Sequence, residues 1–446
     1  MPSPAHEGYT EGESMDSEPM RPMDDNRTVL LLACAFPPES LSGAVRAYRF
    51  AKYLPNFGYS IEVIAGTCVD SLAGWQNVHR VPRSQRLSLR LRLETTLAQM
   101  LRRISPYEER LPWIPHVISE AGKILSDRAA VAIVSTSPPV GSHVAALLLK
   151  RKYNLKWIAD FRDPLLGNPF RNRRIGVHYD KTLERWLFRN ADAVIANTDV
   201  LADAWLERYP QWESKFKVIW NGYDPEDVIV QARIPSRNFK VLAHIGSIYG
   251  GRTPTVLLRS IERLIAHGHL SPRQLRVLFQ GPLELSPKIM AHPPYSSLIS
   301  AGVLECTGKI VPLQQAREIM TKADFLCALD LNDTGVGIQV PAKIFEYIQV
   351  GRPILALTSR NSSTQRILAK SGIRHQCIFP DSNELQIDSD LMSFFNLPTE
   401  PQPPSEWFWH TFDARNQTGE LAALLDYCVG KDSEFRPKSL PVLTTH

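Results

Sequence analysis

Strand-sized apolar runs alternate with amphipathic stretches along most of this chain. Val29–Phe36, Ser60–Ala65, Val131–Ser135, Leu155–Asp160, Ala193–Ala196 and Lys217–Ile219 are rich in β-branched and aliphatic residues and read as strands. Gly43–Leu54, between the first two, has helical periodicity, which makes the opening a β-α-β unit. The alternation pauses at Asn221-Gly222-Tyr223-Asp224 and through a polar, proline-containing run to Asn238, then restarts. The second series is Lys240–Ile245, Leu275–Phe279, Val303–Cys306, Phe325–Leu329 and Ile354–Leu357. Near-continuous apolar strands separated by helices predict parallel sheets covered on both faces. The expected fold class is α/β: two doubly wound, Rossmann-like domains joined near residue 222, with a cleft at the strands' C-terminal ends.

The expected divisions are a disordered tail over 1–26, a first domain over 27–222, a second over 223–412, a last helix over 413–432 and a tail over 433–446. The first 26 residues lack the apolar core of a signal peptide and have the polar, acidic, proline-containing composition of a disordered segment. With 446 residues and 43% hydrophobic content, the chain can bury two large cores. No apolar run approaches the roughly 18 residues of a membrane span, so a cytoplasmic protein, soluble or peripheral at the inner face of the membrane, is expected. The six cysteines have no paired spacing and read as reduced, buried thiols.

Net charge is only +5, so its distribution matters more. Between Arg80 and Arg103 stand seven arginines against the one acid Glu94, with Leu93, Leu97 and Leu101 at helical spacing. This basic amphipathic stretch suits either an anionic membrane surface or a solvated helix docked by its leucines. Nucleic acid is not expected as a partner, because no aromatic platform or binding motif accompanies the arginines.

The remaining chemistry lies in loops after strands. Val340–Leu357 places Lys343 and Glu346 three positions apart on one helical face, with Pro341 before them and Gly351-Arg352-Pro353 closing the helix. A cation near a helix start can take phosphate charge, and a carboxylate can accept ribose hydroxyls; an ordinary surface ion pair is the competing explanation. Gly246-Ser247 and Gly250-Gly251-Arg252 leave a strand through a glycine-rich loop suited to a diphosphate. Gly43 permits a close approach to the start of the first helix. Asp163, in Asp160-Phe161-Arg162-Asp163-Pro164, can orient an acceptor hydroxyl or pair with Arg162.

Neither a dinucleotide fingerprint, nor a phosphate-binding P-loop, nor a serine nucleophile elbow is present. Asp388-Ser389-Asp390 reads as a turn and His267-Gly268-His269 as a helix end. No metal or other cofactor is expected.

Seven motifs in order resemble the family-4-type glycosyltransferases of the two-domain GT-B fold, over roughly Thr28 to Cys428. They are F-P-P-E with Gly43 and Arg46, S-T-S-P-P at 135–139, D-F-R-D-P at 160–164, N-G-Y-D at 221–224, G-S-I-Y-G-G-R at 246–252, T-G-K-I at 307–310, and P-A-K-I-F-E-Y-I-Q-V-G-R-P-I at 341–354. The resemblance implies a retaining enzyme using a nucleoside diphosphate sugar as donor and a glycan or lipid-linked acceptor, in cell-surface polysaccharide biosynthesis. It implies that Arg252 and Lys343 bind the donor diphosphate, Glu346 the ribose and the backbone at Lys309 and Ile310 the base. Arg162 and Asp163 would face the acceptor, and the last helix would cross back to the first domain. Two positions depart from the pattern: Ile338 stands where many members have an acid, and Ser137-Pro138-Pro139 where many have histidine, with His143 following. A non-catalytic sugar-nucleotide-binding subunit and a sugar-nucleotide epimerase are the alternatives.

Overall fold

The computed structural model describes residues 27–39, 42–66, 75–82, 110–168, 171, 174–227, 229, 236–330 and 337–430. Both expected tails and most of the arginine-rich stretch, from Arg83 to Arg103, lie outside the described residues.

Two all-parallel sheets organise the chain. The first contains β1 (Thr28–Ala33), β2 (Ser60–Ala65), β3 (Val78–Arg80), β4 (Ala130–Ser137), β5 (Lys156–Phe161), β6 (Ala193–Ala196) and β7 (Phe216–Val218), in the order β3-β2-β1-β4-β5-β6-β7. The second contains β8 (Lys240–Ile245), β9 (Leu275–Gln280), β10 (Leu304–Cys306), β11 (Phe325–Leu329), β12 (Ile354–Leu357) and β13 (His375–Ile378), in the order β10-β9-β8-β11-β12-β13. Every residue of β1, β2, β11 and β12 is buried, as helices on both faces of a parallel sheet require. Strand order reverses between β1 and β4 and again between β8 and β11, and crevices open at such switch points.

The apolar strand runs are all strands, with ends shifted by a few residues. The short edge strands β3 and β13 carry polar residues and are only partly buried, so they show little apolar signal. Asp388 and Asp390 do not form a turn. They lie inside the helix Glu384–Phe395, which Asn383 caps and whose Ile387, Leu391, Phe394 and Phe395 enter the core. Asp388 accepts from Ser260 and Arg263 on the helix Thr255–Ala266. That second helix ends as expected, at His267 and left-handed Gly268.

The last helix, Ala414–Val429, packs on the first domain. Leu421, Leu424, Leu425 and Cys428 join the cluster of Val29, Leu31 and Phe50 beneath the first sheet. The chain thus passes between domains twice, and the two passages run side by side. Tyr223 N–H donates to Phe412 O at 2.9 Å and Ala414 N–H to Tyr223 O at 3.0 Å. A Cβ on Gly222 would lie 2.0 Å from Phe412 O, so this crossing needs a residue without one. Asp224 accepts from Tyr53 and Lys52 of the first helix, Ser42–Tyr53.

A buried ion pair anchors that crossing. Arg46 gives bifurcated bonds to Asp160 at 2.7–3.2 Å and also donates to the carbonyls of Ile219 at 2.9 Å and Trp220 at 2.6 Å. Thr136 donates to the same carboxylate at 2.8 Å, and Asp160 has no exposed surface. Arg46→Ala is expected to cost about 3–5 kcal/mol, because Asp160 would be left charged and unpaired, whereas replacing both residues by apolar ones should cost less. Guanidinium denaturation of the single and double variants measures the difference; an Arg46→Ala protein as stable as the parent would refute it.

Candidate functional site

A cavity of about 460 Å³ opens between the two switch points. The loops after β1 and β4 bring Cys34, Gly43 and Pro138 to one wall, and those after β8 and β11 bring Arg252 and Gln339 to the other. Four sequence-predicted residues, Gly43, Arg162, Asp163 and Arg252, line it. The rest of the predicted site extends along the second domain.

Gly43 has an unexpected neighbour. A Cβ there would fall 1.0 Å from Arg162 Nη1, so the guanidinium occupies the space beside the first helix's start that sequence reasoning left for a ligand. Arg162 Nε donates to Ser137 O at 3.0 Å and Nη2 to Pro138 O. Burial pulls its pKa down against the opposing fields of Asp163 and Asp160. Asp163 is not ion-paired with Arg162; it accepts from Gln339 Nε2, across the cleft, at 2.5 Å. Burial raises its pKa, opposed by Arg162, Gln339 and Arg252.

Gln339 belongs to a segment that docks on the first domain. Thr198, which caps the helix Asp199–Arg208, donates to Ile338 O at 2.7 Å. The Ile338 side chain packs against the first-domain core. The position where the resemblance leads one to expect an acid is here an apolar domain contact. Asp199 reinforces it by accepting from Ser363 at 2.7 Å and Arg366 at 2.9 Å.

Arg252 packs over the Tyr249 ring with its guanidinium carbon 4.8 Å from the centroid, and its buried Nε has no hydrogen-bond partner among the described residues. Lys343 and Glu346 begin the helix Lys343–Val350 and are bonded to one another at 2.9 Å. Lys343 lies beside the glycine-rich loop, since its Cγ is 4.0 Å from where a Gly246 Cβ would be. Gly246 takes a φ of 143°, and Ser247 is exposed. Gln280 donates to Lys309 O at 2.7 Å, which holds the following loop and leaves Ile310 83% exposed as an apolar platform.

Two residues escaped sequence reasoning. Arg317, on the helix Leu313–Lys322, lies 3.6 Å from Glu346 and 3.2 Å from Asp227, linking the helix that carries Glu346 to the chain just beyond the domain crossing. A lone arginine on an amphipathic helix carries no motif that would have marked it. His244 is buried at the end of β8, where Nδ1–H donates to Cys327 O at 2.9 Å and Nε2 has no partner. Burial, with Arg252 and Lys343 nearby, takes its pKa down to about 4, so the ring is neutral near pH 7. His143, by contrast, is core: fully buried, 2.7 Å from Ser135 Oγ and 4.2 Å from the Phe161 ring, with its pKa lowered by burial to about 3. No group of three metal-ligating side chains is present among the described residues.

Comparisons with known proteins bear on this geometry. Residues 43–227 match the model of Glycosyltransferase Family 4. The match spans most of the first domain. The whole chain has the GT-B fold, shared with a sucrose-phosphate synthase from Thermosynechococcus elongatus at TM-score 0.60 and 10% identity, covering 91% of this chain and 97% of the other. The lipopolysaccharide outer core galactosyltransferase WaaB superposes at 0.58 and 12% identity, over 89% and 99%. Anabaena HepE, in complex with UDP and glucose, superposes at 0.53 and 13% identity, over 90% and 97%. No curated protein matches this chain in sequence.

The contact at Gly43 gives a test that needs no substrate. Gly43→Ala should cost about 1–3 kcal/mol by displacing the Arg162 guanidinium, and should cost almost nothing in an Arg162→Ala background. A double-mutant cycle by denaturation measures the coupling; additive effects would show that the two do not compete for one space.

Proposed function

We propose that this glycosyltransferase moves a sugar from a nucleoside diphosphate donor to a glycan or lipid-linked acceptor, with retention of anomeric configuration, in building a cell-surface polysaccharide. The observation that carries the reading is the convergence of Arg252 and Lys343 on the glycine-rich loop after β8, beside a cavity between both switch points. Transfer requires charge stabilisation where the diphosphate departs, and two cations held by a folded loop and a helix start supply it without reorganisation. Lys343 and Glu346, now bonded to one another, exchange partners when donor enters: the ammonium turns to phosphate and the carboxylate to ribose hydroxyls. The exposed Ile310 platform and the adjoining backbone at Lys309 receive the base. Asp163, on the first-domain wall of the cavity, faces the acceptor, whose hydroxyl attacks the face from which diphosphate leaves.

Arg252→Ala, Lys343→Ala and Glu346→Ala are each expected to lower donor turnover at least tenfold, the scale of a lost charge-assisted contact. Radiolabelled sugar transfer from a panel of nucleotide sugars, with UDP-sugars first, measures it. Near-parental activity in all three would sink the assignment. Arg317→Ala should raise the donor KM several-fold with a smaller change in kcat, because it orients Glu346 without touching the donor, and Arg317→Lys should recover part of the loss.

The acceptor reading extends to an anionic membrane surface through the arginine-rich stretch between residues 80 and 103. Sedimentation with liposomes containing anionic lipid should carry the protein down, and neutral liposomes should leave it in solution. Equal recovery from both would reject membrane docking.

A further inference from the structure

Among the described residues, three guanidinium groups line the cavity, those of Arg110, Arg162 and Arg252, against the single carboxylate of Asp163. A donor diphosphate accounts for Arg252 together with Lys343. It leaves positive charge on the opposite, first-domain wall.

Arg162 is the centre of that surplus. Among the described residues, its side-chain hydrogen bonds go only to the neutral carbonyls of Ser137 and Pro138. The carboxylates in its field are committed elsewhere: Asp160 to Arg46 and Thr136, Asp163 to Gln339. Two other partly buried arginines of this domain hold a carboxylate directly, Arg171 with Asp180 at 2.6 Å and Arg208 with Glu184 at 2.9 Å, whereas Arg49 donates to the carbonyl of Gly222. A guanidinium with unused donors facing a cavity suits the two-pronged recognition of a phosphate or carboxylate.

A second observation comes from Asn197 on the same wall. The residue is more than nine-tenths buried, its Nδ2 donates to Arg162 O, and its Oδ1 has no partner although it sits in a residue lining the cavity. A buried, unpartnered acceptor costs about 1–3 kcal/mol, and a ligand hydroxyl would satisfy it. Side by side, Arg162 and Asn197 offer a donor fork for an oxyanion and an acceptor for a hydroxyl.

We infer that the acceptor is an anionic sugar, bearing a phosphate or a carboxylate close to the hydroxyl that is glycosylated, with Arg162 binding the oxyanion and Asn197 Oδ1 a neighbouring hydroxyl. The inference rests on the glycosyltransferase reading above and narrows its acceptor. It also gives Gly43 a purpose: a residue without a side chain lets the Arg162 guanidinium stay against the first helix while still facing the cavity.

Thermal unfolding of the full chain tests it, because a ligand bound only by the native state raises the apparent stability. UDP, GDP and ADP are screened first to find a nucleoside diphosphate that stabilises the protein. Glucose 6-phosphate, glucuronate, glucose and inorganic phosphate are then added, each at the same millimolar concentration and ionic strength, with that nucleotide present. The expected result is a further rise with glucose 6-phosphate or glucuronate, at an affinity at least tenfold above that for glucose or inorganic phosphate. Which of the two acts tells phosphate from carboxylate. Arg162→Gln, chosen to keep the cavity filled, should abolish the second rise and leave the nucleotide's own rise in place.

Glucose acting as well as the anionic sugars, or no further rise from either of them, would overturn the proposal, and this comparison uses the parent protein alone. Loss of the nucleotide's rise in Arg162→Gln would overturn it too, by moving Arg162 to the donor side. No rise with any nucleoside diphosphate would instead remove the donor reading, and the acceptor inference with it.

Discussion

The buried Arg46–Asp160 pair holds together the parts of this protein that must stay in register. Arg46 rises from the first helix, Asp160 stands near the C-terminal end of β5, and the carbonyls of Ile219 and Trp220 open the passage to the second domain. A buried pair of this kind adds little net stability, since desolvation offsets most of the attraction. Its consequence is geometric: once both charges are buried, each must find the other, and the linker carbonyls complete the guanidinium's bonds. Tyr223, just beyond those carbonyls, is thereby set where the returning chain at Phe412 to Ala414 pairs with it. The placement of one domain over the other begins there.

From that anchor the cleft acquires its contacts. Ile338 and Gln339 reach across from the second domain, one into the first-domain core and the other to Asp163, so the segment after β11 is a strut between domains as well as a wall of the cavity. An acid at position 338 could not enter that apolar contact without a large desolvation penalty. In the same domain, Arg252 ends the glycine-rich loop and Lys343 lies beside it, while Arg317 ties Glu346 to Asp227 just past the crossing. Glu346 therefore shares a charge network with the domain crossing.

Much of this was legible in the sequence. Parallel strands buried on both faces need unbroken apolar runs, so the eleven strand runs named from the sequence correspond to strands, and the break at Asn221 to Asn238 marks the passage between the two sheets. The helix carrying Lys343 and Glu346 was marked by Pro341 before it and Gly351 after it, because helix ends have local steric requirements. The edge strands β3 and β13 were not legible, since a strand exposed along one side can be polar. Asp388 and Asp390 misled for a related reason: short acidic stretches occur in turns, and only the packing of Ile387 and Leu391 below them makes this one helical.

The sequence by itself determined the alternation of elements, the two-domain α/β class and the loops in which charged residues stand, because periodicity and turn chemistry are local properties of a chain. Tertiary structure alone decided which of those charges meet. Asp160 and Arg162 are two residues apart and would share a face if the strand continued, yet one is sealed with Arg46 and the other lies in the cavity against Gly43, because β5 ends at Phe161 between them. His143 and His244 have the same side chain and the same unpartnered Nε2, but one is sealed in the first-domain core and the other stands beside the Gly246 loop. The depth at which each lies, and the charges gathered around it, come from segments far away in the chain, which no local pattern records.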